Sequence, residues 1–225
     1  MIEFVKVTKQ FGDGTIALDK VSFTIEPGEF VFIVGPSGAG KTTILRLLIR
    51  EILPTIGSIF VRKEEVNSLH PRKIPSLRRK IGAVFQDYKL LWDRTLMENV
   101  SLPLEILGKS QELIEREALE ILELVGLEKK GDLFPLQLSG GELQRSVIAR
   151  ALAPKPEILF ADEPTGNLDP GTAWQIVKLL KKINEEGKIV IMATHNFDIV
   201  DSLNERVITL EKGRILSDKK KGRYL

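Results

Sequence analysis

The sequence predicts an α/β fold with a mostly parallel sheet at its core, antiparallel strands at its N-terminus and an inserted α-helical segment. Three observations predict this fold. Apolar strands alternate with helices over much of the chain, one apolar strand runs through a glycine-rich loop into a helix, and a long helical stretch separates two groups of strands. Strands of a parallel sheet are buried on both faces, and they therefore read as continuous apolar runs.

The first 34 residues have the pattern of strands. Val21, Phe23 and Ile25 alternate with polar residues, and this period of two predicts a half-exposed antiparallel strand. The run from 30 to 34 is apolar throughout, which predicts a buried strand. Further strands are predicted at 58–61, 80–85, 158–161, 189–193 and 207–210.

The stretch from residue 87 to residue 153 has a helical pattern. Thr95 and Glu98 have the spacing of a capping box, and helices are predicted over 110–125 and 139–153. We therefore predict a single domain, 1–225, in which residues 1–86 and 154–225 form the core. Residues 87–153 are predicted to form a helical subdomain inserted into it.

The loop after the strand at 30–34 predicts nucleotide binding. Residues 35–42 fit the pattern G-x-x-x-x-G-K-[ST] of a phosphate-binding P-loop, in which glycines let backbone N–H groups approach phosphate oxygens. Lys41 is predicted to reach the terminal phosphates, and Thr42 to offer its hydroxyl to Mg²⁺. The predicted fold is therefore that of a P-loop NTPase with a RecA-like core. The predicted ATP-binding residues of this loop are Gly35, Pro36, Ser37, Gly38, Ala39, Gly40, Lys41, Thr42 and Thr43.

Two acidic residues follow the apolar strand at 158–161. Strand ends are where α/β sheets place their ligands, and hydrolysis of ATP needs a bound Mg²⁺ and a positioned water. Asp162 is predicted to hold the Mg²⁺ shell, and Glu163 to polarise the water. Because neighbouring residues of a strand point to opposite sides, we expect the two carboxylates to face different ways.

Residues 138–142, Leu-Ser-Gly-Gly-Glu, admit two interpretations. Ser139 with Glu142 three residues later fits a capping box at the start of a helix. The two glycines between them, Gly140 and Gly141, also expose the helix N-terminus, which makes it suitable for an anion. Both interpretations can hold at once, because a capped helix N-terminus still attracts a phosphate.

Residues 138–142 resemble the signature motif of ABC ATPases, which read LSGGQ or LSGGE there, and the resemblance extends over essentially the whole chain. It implies that Phe11 stacks on adenine, where tyrosine is more usual. Gln86 then matches the Q-loop glutamine, which helps to hold Mg²⁺, and residues 167–169 match the D-loop with its Asp169. His195 matches the switch histidine, and it follows a strand from which it can donate to a γ-phosphate. The implied catalytic residues are Glu163, His195 and Gln86, and the implied Mg²⁺ residues are Thr42, Gln86 and Asp162.

The same resemblance implies how the protein works. ABC ATPases form head-to-tail homodimers in which each ATP lies between the P-loop of one chain and the signature motif of the other. Ser139, Gly140, Gly141 and Glu142 would then bind the ATP of the partner chain. ATP closes the dimer and hydrolysis releases it, which drives an attached membrane protein.

Within the ABC ATPases, residues 34–42, 85–91 and 161–170 are most similar to the FtsE family of bacterial cell-division ATPases. This similarity implies an FtsX-like membrane partner that controls peptidoglycan hydrolases, and a cytoplasmic location on the inner face of the membrane. One alternative is the ATPase of a lipoprotein-release or macrolide-export transporter. Another is a nucleotide-gated division scaffold, for which the complete set of Glu163, Gln86 and His195 would be unnecessary.

An apolar cluster at residues 90–92, Leu-Leu-Trp, lies in a predicted loop near Gln86. Exposed apolar loop residues often mark an interaction site. One hypothesis is that the cluster contacts a cytoplasmic helix of the membrane partner, in a groove near residues 86–94. The other is that it fills the seam between the two subdomains.

Composition agrees with a globular protein and excludes several classes. The 225 residues are 43% hydrophobic and 28% charged, and no run approaches the length of a membrane span. A net charge of +2 gives no reason to expect nucleic acid, and the absence of cysteine excludes disulfides and thiolate metal sites. The chain enters a strand directly after Met1, so no signal peptide is expected. The basic tail at 219–223 is predicted to be a solvated end, with acidic lipid as the alternative contact.

Overall fold

Residues 30–34 form a strand whose five side chains are all buried, and the main sheet is built around it. The computed structural model describes residues 1–222. The last three residues of the predicted core segment 154–225 lie outside this range, as does Arg223 at the end of the basic tail. The strands are β1 (Ile2–Gln10), β2 (Ile16–Ile25), β3 (Phe30–Val34), β4 (Ile56–Val61), β5 (Glu64–Glu65), β6 (Ile81–Val84), β7 (Ile158–Asp162), β8 (Ile189–Thr194), β9 (Arg206–Glu211) and β10 (Arg214–Lys219).

Helices separate most of these strands. They are α1 (Lys41–Leu48), α2 (Ile74–Arg79), α3 (Leu96–Ile106), α4 (Gln111–Leu124), α5 (Gly140–Leu152), α6 (Pro170–Glu185) and α7 (Phe197–Leu203). Short 3₁₀ turns occupy Pro71–Lys73, Glu128–Lys130 and Pro135–Gln137.

The strands of residues 1–222 form one large and one small sheet. The large sheet has the order β10-β9-β3-β8-β7-β6, and every neighbouring pair is parallel except β9 with β10. The small sheet has the order β2-β1-β4-β5 and is antiparallel throughout. The predicted α/β fold, with a mostly parallel core and N-terminal antiparallel strands, is confirmed.

The two faces of the large sheet belong to different hydrophobic clusters. Phe30, Phe32 and Val34 of β3 pack into a cluster with helices α3 to α6. The intervening Val31 and Ile33 pack into a second cluster with the small sheet and α1. A strand turns alternate side chains to opposite faces, so this one apolar strand joins both halves of the core.

Residues 87–153 contain α3, α4 and α5, and no strand of the described chain lies within them. These helices share their hydrophobic cluster with one face of the large sheet. The capping box predicted at the start of α3 is present: the Glu98 backbone N–H donates to the Thr95 hydroxyl at 3.2 Å, and the Glu98 carboxylate accepts from the Thr95 N–H at 2.7 Å. The division into a core and a helical subdomain stays a prediction.

Candidate functional site

The loop between β3 and α1 is shaped by glycines. Gly35 and Gly40 have φ angles of 151° and 109°, a region that side-chain-bearing residues rarely adopt. A Cβ atom on Gly35 would come within 2.2 Å of the Leu210 carbonyl oxygen, and one on Gly40 within 2.6 Å of the Ala17 carbonyl oxygen. Only glycine therefore fits at these two positions, and the loop turns directly into the N-terminus of α1.

A cavity of about 500 Å³ opens at this loop. It is lined by most of the predicted ATP-binding residues together with side chains from the ends of other strands. The lining residues are Pro36, Ser37, Gly38, Gly40, Lys41, Thr42, Thr43, Gln86, Asp162, Glu163, His195 and Phe197. Two residues predicted for the loop do not line it: Gly35 lies against the Leu210 backbone, and Ala39 is buried in the hydrophobic cluster under α1.

Lys41 is bound to its own loop. The side chain is 7% exposed, and its ammonium donates to the carbonyl oxygens of Gly35 at 2.7 Å and Pro36 at 3.1 Å. The same ammonium lies 3.4 Å from Oε1 of Glu163. The cation is thus held in the lining of the cavity, where it balances a carboxylate.

Glu163 lies between Lys41 and His195. Its Oε2 is 2.9 Å from Nδ1 of His195, and an ionised carboxylate can only accept, so the histidine is the donor. The Glu163 backbone has a φ of 49°, which bends the chain away from the strand direction just after β7. Asp162 and Glu163 both line this cavity, and their carboxylates contact different groups: Thr42 for Asp162, and Lys41 and His195 for Glu163.

Asp162 is the last residue of β7 and is buried. Its Oδ2 accepts a hydrogen bond from the Thr42 hydroxyl at 2.5 Å, while its Oδ1 is a buried oxygen without a partner among the described residues. Burial raises the pKa of this carboxyl, and the Thr42 hydrogen bond opposes the rise. An unpaired buried carboxylate oxygen beside a hydroxyl is suited to a hard divalent cation, which prefers oxygen ligands.

Gln86 follows β6 and lines two adjoining cavities. The second, of about 740 Å³, is bounded by Thr42, Asp162 and Gln86 on the side of the first cavity. Its other walls carry charged side chains for which the sequence predicted no role in the site: Arg46, Glu51, Asp87 and Lys89. The structure thus brings Gln86 to the same cavities as the Asp162 carboxylate and the Thr42 hydroxyl, the groups with which it was predicted to hold Mg²⁺.

Phe11 does not line either cavity beside the P-loop. Its ring is half-buried, and the Lys9 ammonium lies 5.2 Å from the ring centre. The adjacent turn is held by hydrogen bonds between the Phe11 backbone and residues 14 and 15. Phe11 is therefore not part of the buried core, and its stacking on adenine stays a prediction.

The signature segment, residues 138–142, lies away from the cavity lining, as does Asp169. The Ser139 N–H donates to the Glu142 carboxylate at 3.0 Å, which confirms this half of the predicted cap at the start of α5. Asp169 caps α6 by accepting from the Thr172 N–H at 3.0 Å, and this bonding lowers the pKa of its carboxyl. Both helix N-termini are thus formed, but within this chain neither faces the P-loop.

Phe197 lines the cavity, although sequence reasoning did not single it out. It is the first residue of α7, which begins after Asn196 accepts from the Ile199 N–H at 3.2 Å. An asparagine cap directly after His195 is the sequence signal that could have predicted this short helix. Phe197 thereby places an exposed aromatic ring beside the histidine.

The apolar cluster at 90–92 is divided by the fold. Leu90 is 5% exposed and packs in the core with α3, whereas Trp92 is 46% exposed. The buried amide of Asn99 holds the loop, since it donates to the Leu91 carbonyl oxygen at 3.0 Å and accepts from the Leu91 N–H at 2.9 Å. Leu90 therefore fills the interior, while Trp92 is presented to solvent.

Within residues 1–222, no helix has the length and apolar character that a membrane crossing requires. In the same range, no group of three or more acidic or histidine side chains is gathered that could hold a metal ion.

Comparison with known proteins agrees with this arrangement. Residues 18–166 match the ABC transporter family. The chain is 48% identical over 224 residues to the cell division ATP-binding protein FtsE of Bacillus subtilis, covering 100% of this chain and 98% of that protein. It is 48% identical over 225 residues to FtsE of Mycobacterium tuberculosis, with 100% and 98% covered, and 44% identical over 215 residues to FtsE of Escherichia coli, with 96% and 97% covered.

Solved structures have the same fold. The ATP-binding cassette MJ0796, a dimer in a post-hydrolysis state bound to ADP and phosphate, superposes with a TM-score of 0.91 at 40% identity, covering 99% of each chain. The cassette cbiO1 of Clostridium perfringens, part of the transporter complex cbiONQ, superposes with a TM-score of 0.90 at 30% identity, covering 98% of this chain and 88% of that one. Three observations lead to one conclusion: a P-loop cavity with an acidic strand end, a sequence matched over its full length, and a fold shared with ABC cassettes. The chain belongs to the ABC transporter ATPases and, within them, to the FtsE family of cell division ATP-binding proteins.

Proposed function

We propose that this protein hydrolyses ATP as the soluble subunit of a membrane-associated complex in bacterial cell division. It pairs there with an FtsX-like membrane protein, on the inner face of the membrane, to regulate peptidoglycan hydrolysis. The observation that carries hydrolysis is the placement of Glu163 between Lys41 and His195 at the P-loop cavity. The cell-division role rests on the full-length similarity to FtsE proteins.

ATP is proposed to lie along residues 35–43, with its phosphates against the backbone N–H groups of the loop and the N-terminus of α1. Lys41 would exchange its contacts with the Gly35 and Pro36 carbonyl oxygens for phosphate oxygens. Glu163 would accept a proton from the attacking water, and His195 would hold the carboxylate and meet the γ-phosphate. Phe11 would provide the adenine contact at the outer end of the nucleotide.

Mg²⁺ would be held by Thr42, Gln86 and Asp162. The fit rests on the unpartnered Oδ1 of Asp162 and on the Thr42 hydroxyl beside its Oδ2. Mg²⁺ in nucleotide sites is bound by few protein oxygens together with phosphates and water. When bound, the ion would neutralise the charge that develops on the phosphates, while the protein residues fix its position.

The signature segment is proposed to complete the site of a second copy. The cap and first turn of α5 consist of Ser139, Gly140, Gly141 and Glu142, and these residues do not line the P-loop cavity of their own chain. A head-to-tail homodimer would bring this helix N-terminus, and Asp169 with it, onto the γ-phosphate of the partner chain. The dimeric MJ0796 cassette supports this pairing.

Replacing Ser139 with arginine is expected to weaken ATP-dependent dimerisation at least 100-fold, because a long cation would fill the space needed by the partner's ATP. ATP binding to the monomer should stay within about twofold, since Ser139 is remote from its own P-loop cavity. Sedimentation with Mg-ATP and titration with a fluorescent ATP analogue measure the two quantities. Ser110→Arg is the matched control, because Ser110 is also an exposed serine at a helix N-terminus. Weakened ATP binding by the Ser139→Arg monomer would contradict a site shared between chains.

The membrane partner is proposed to dock beside α3. A groove of about 520 Å³ is lined there by Leu102, Ile106 and other apolar residues, together with Arg78, Arg79 and Arg150. The groove lies beside residues 86–94 rather than among them, and Arg150 joins the two by donating to the Tyr88 carbonyl oxygen at 3.2 Å. A cytoplasmic helix with one apolar face and acidic flanks would fit this groove and reach Trp92.

Affinity capture from solubilised native membranes tests the role. A tagged Glu163→Gln variant with Mg-ATP is expected to recover one permease with few spans and a large external domain, together with division proteins. Trp92→Ala in the same background should lower that recovery at least fivefold, whereas Leu216→Ala, which also removes an exposed apolar side chain, from β10, should not. Full recovery with Trp92→Ala would exclude Trp92 from the contact.

The identity of the captured permease separates the alternatives. A lipoprotein-release or efflux permease would replace the cell-division role by transport. Capture of soluble division proteins alone would favour the nucleotide-gated scaffold, in which the pairing of Glu163 with His195 would have no use.

A further inference from the structure

The signature segment carries an acidic group in the helix turn that would meet the phosphate of the partner chain's ATP. Glu142 is in the first turn of α5, where its Oε2 accepts from the Ser139 N–H at 3.0 Å. The Lys130 ammonium lies 2.5 Å from Oε1 of the same carboxylate. These contacts, that of Lys130 first, lower the pKa of Glu142 to about 2. Glu142 therefore carries a full negative charge at neutral pH.

This charge works against phosphate binding at the same helix end. A helix N-terminus attracts anions through its free N–H groups, but a carboxylate in the first turn already satisfies part of that attraction. A second anion placed close to it is repelled. Where the motif ends in glutamine, this position carries no charge. A chain with glutamate there needs a cation beside it to bring the net charge of the position back to zero.

Lys130 is held in place independently of Glu142. It ends the 3₁₀ turn Glu128–Lys130, its N–H donates to the Leu127 carbonyl oxygen at 3.0 Å, and its own carbonyl oxygen accepts from the Leu133 N–H at 3.1 Å. The next residue, Gly131, accepts from the Met97 N–H at 2.8 Å, which ties the turn to α3. The backbone of Lys130 is therefore fixed at a position from which its side chain reaches Glu142.

We propose that Lys130 is a positioning residue for the ATP-driven pairing of two copies of this chain. It cancels the charge of Glu142 and keeps the carboxylate on the Ser139 N–H, so that the signature segment can accept the γ-phosphate of the partner's ATP. This inference rests on the head-to-tail pairing proposed above. It adds a residue that lies outside the signature motif and that the resemblance to the family did not point to.

The test measures the dimer dissociation constant by sedimentation in Mg-ATP, in the Glu163→Gln background. Lys130→Met, which keeps the length of the side chain and removes its charge, is expected to weaken pairing about tenfold at low salt. The effect should shrink in 0.5 M salt, because screening weakens the repulsion left by Glu142. Lys129→Met is the matched control: Lys129 is the exposed neighbour, and its loss should change pairing less than twofold.

Adding Glu142→Gln separates positioning from a general structural role. In that background Lys130→Met should change pairing less than twofold, because no charge remains to be cancelled; an equal loss in both backgrounds would overturn the proposal. If Lys130→Met lowers the melting temperature, Lys130→Arg replaces it as the probe and should pair within about threefold of the parent.

The Ser139→Arg variant distinguishes a failure of this proposal from a failure of the head-to-tail pairing. If it blocks pairing while Lys130 and Glu142 show no coupling, only the role of Lys130 fails; if it leaves pairing intact, the shared site itself fails.

Discussion

Glu163→Gln is expected to lower kcat for ATP hydrolysis at least about 100-fold, the lower end of what a general base contributes. The amide keeps the size of the side chain and a carbonyl oxygen that can still accept from Nδ1 of His195, but it cannot take a proton from water. ATP affinity should stay equal or improve, because a negative charge beside the phosphates is removed. The variant should therefore accumulate as an ATP-bound dimer.

Phosphate release in single-turnover experiments and sedimentation with Mg-ATP measure these two effects. Glu211→Gln is the matched control, since Glu211 is an exposed glutamate at the end of β9 that does not line the cavity. Near-normal turnover by Glu163→Gln would remove Glu163 from the role of base. Slow turnover without dimer accumulation would leave that role in place and argue against closure by ATP.

Lys41→Ala is expected to weaken ATP binding about 100-fold or more. The Lys41 ammonium is the only lysine or arginine group among the residues that line the P-loop cavity, and hydrogen bonds to charged groups contribute about 1.5 to 3 kcal/mol each. Its loss also leaves Glu163 without the cation that lies 3.4 Å from it, so the cavity becomes more negative. Both effects oppose a polyphosphate.

Titration with a fluorescent ATP analogue measures the loss, and thermal unfolding shows whether the fold survives. Lys182→Ala, at an exposed position near the end of α6, controls for the removal of one positive charge from the surface. Wild-type affinity in a folded Lys41→Ala variant would overturn the assignment of the loop.

Much of the fold follows from local pattern. The apolar run of β3, the alternation of β2 and the capping box of α3 each depend on residues that are close in sequence. The bounds of β3 were predicted as observed, the alternation covered the second half of β2, and the capping box marked where α3 begins. Strand order was not predictable in the same way. The joining of β4 to β1 and the position of β3 between β8 and β9 depend on contacts between distant segments, which periodicity does not encode.

For the site as well, the sequence predicted the residues but not their arrangement. Residue types and spacing indicated that Lys41, Thr42, Asp162 and Glu163 belong together, and the resemblance to ABC ATPases added Gln86 and His195. The fold gathers all six at one cavity. Their mutual geometry required the structure, which binds the Asp162 carboxylate to Thr42 and places the Glu163 carboxylate between Lys41 and His195. The inclusion of Phe197 and the exclusion of Ala39 also depend on how α7 and α1 pack.

The sequence by itself determined the chemistry: a loop whose backbone conformation requires glycine, a lysine and a threonine at its end, and an acidic pair after a buried strand. These features are local, because they rest on backbone freedom, side-chain charge and short-range capping. Only the tertiary structure decided that Leu90 is buried while Trp92 is exposed, and that Lys130 reaches Glu142 from a separate turn. Such pairings arise where segments far apart in sequence pack together, and packing is a property of the whole chain.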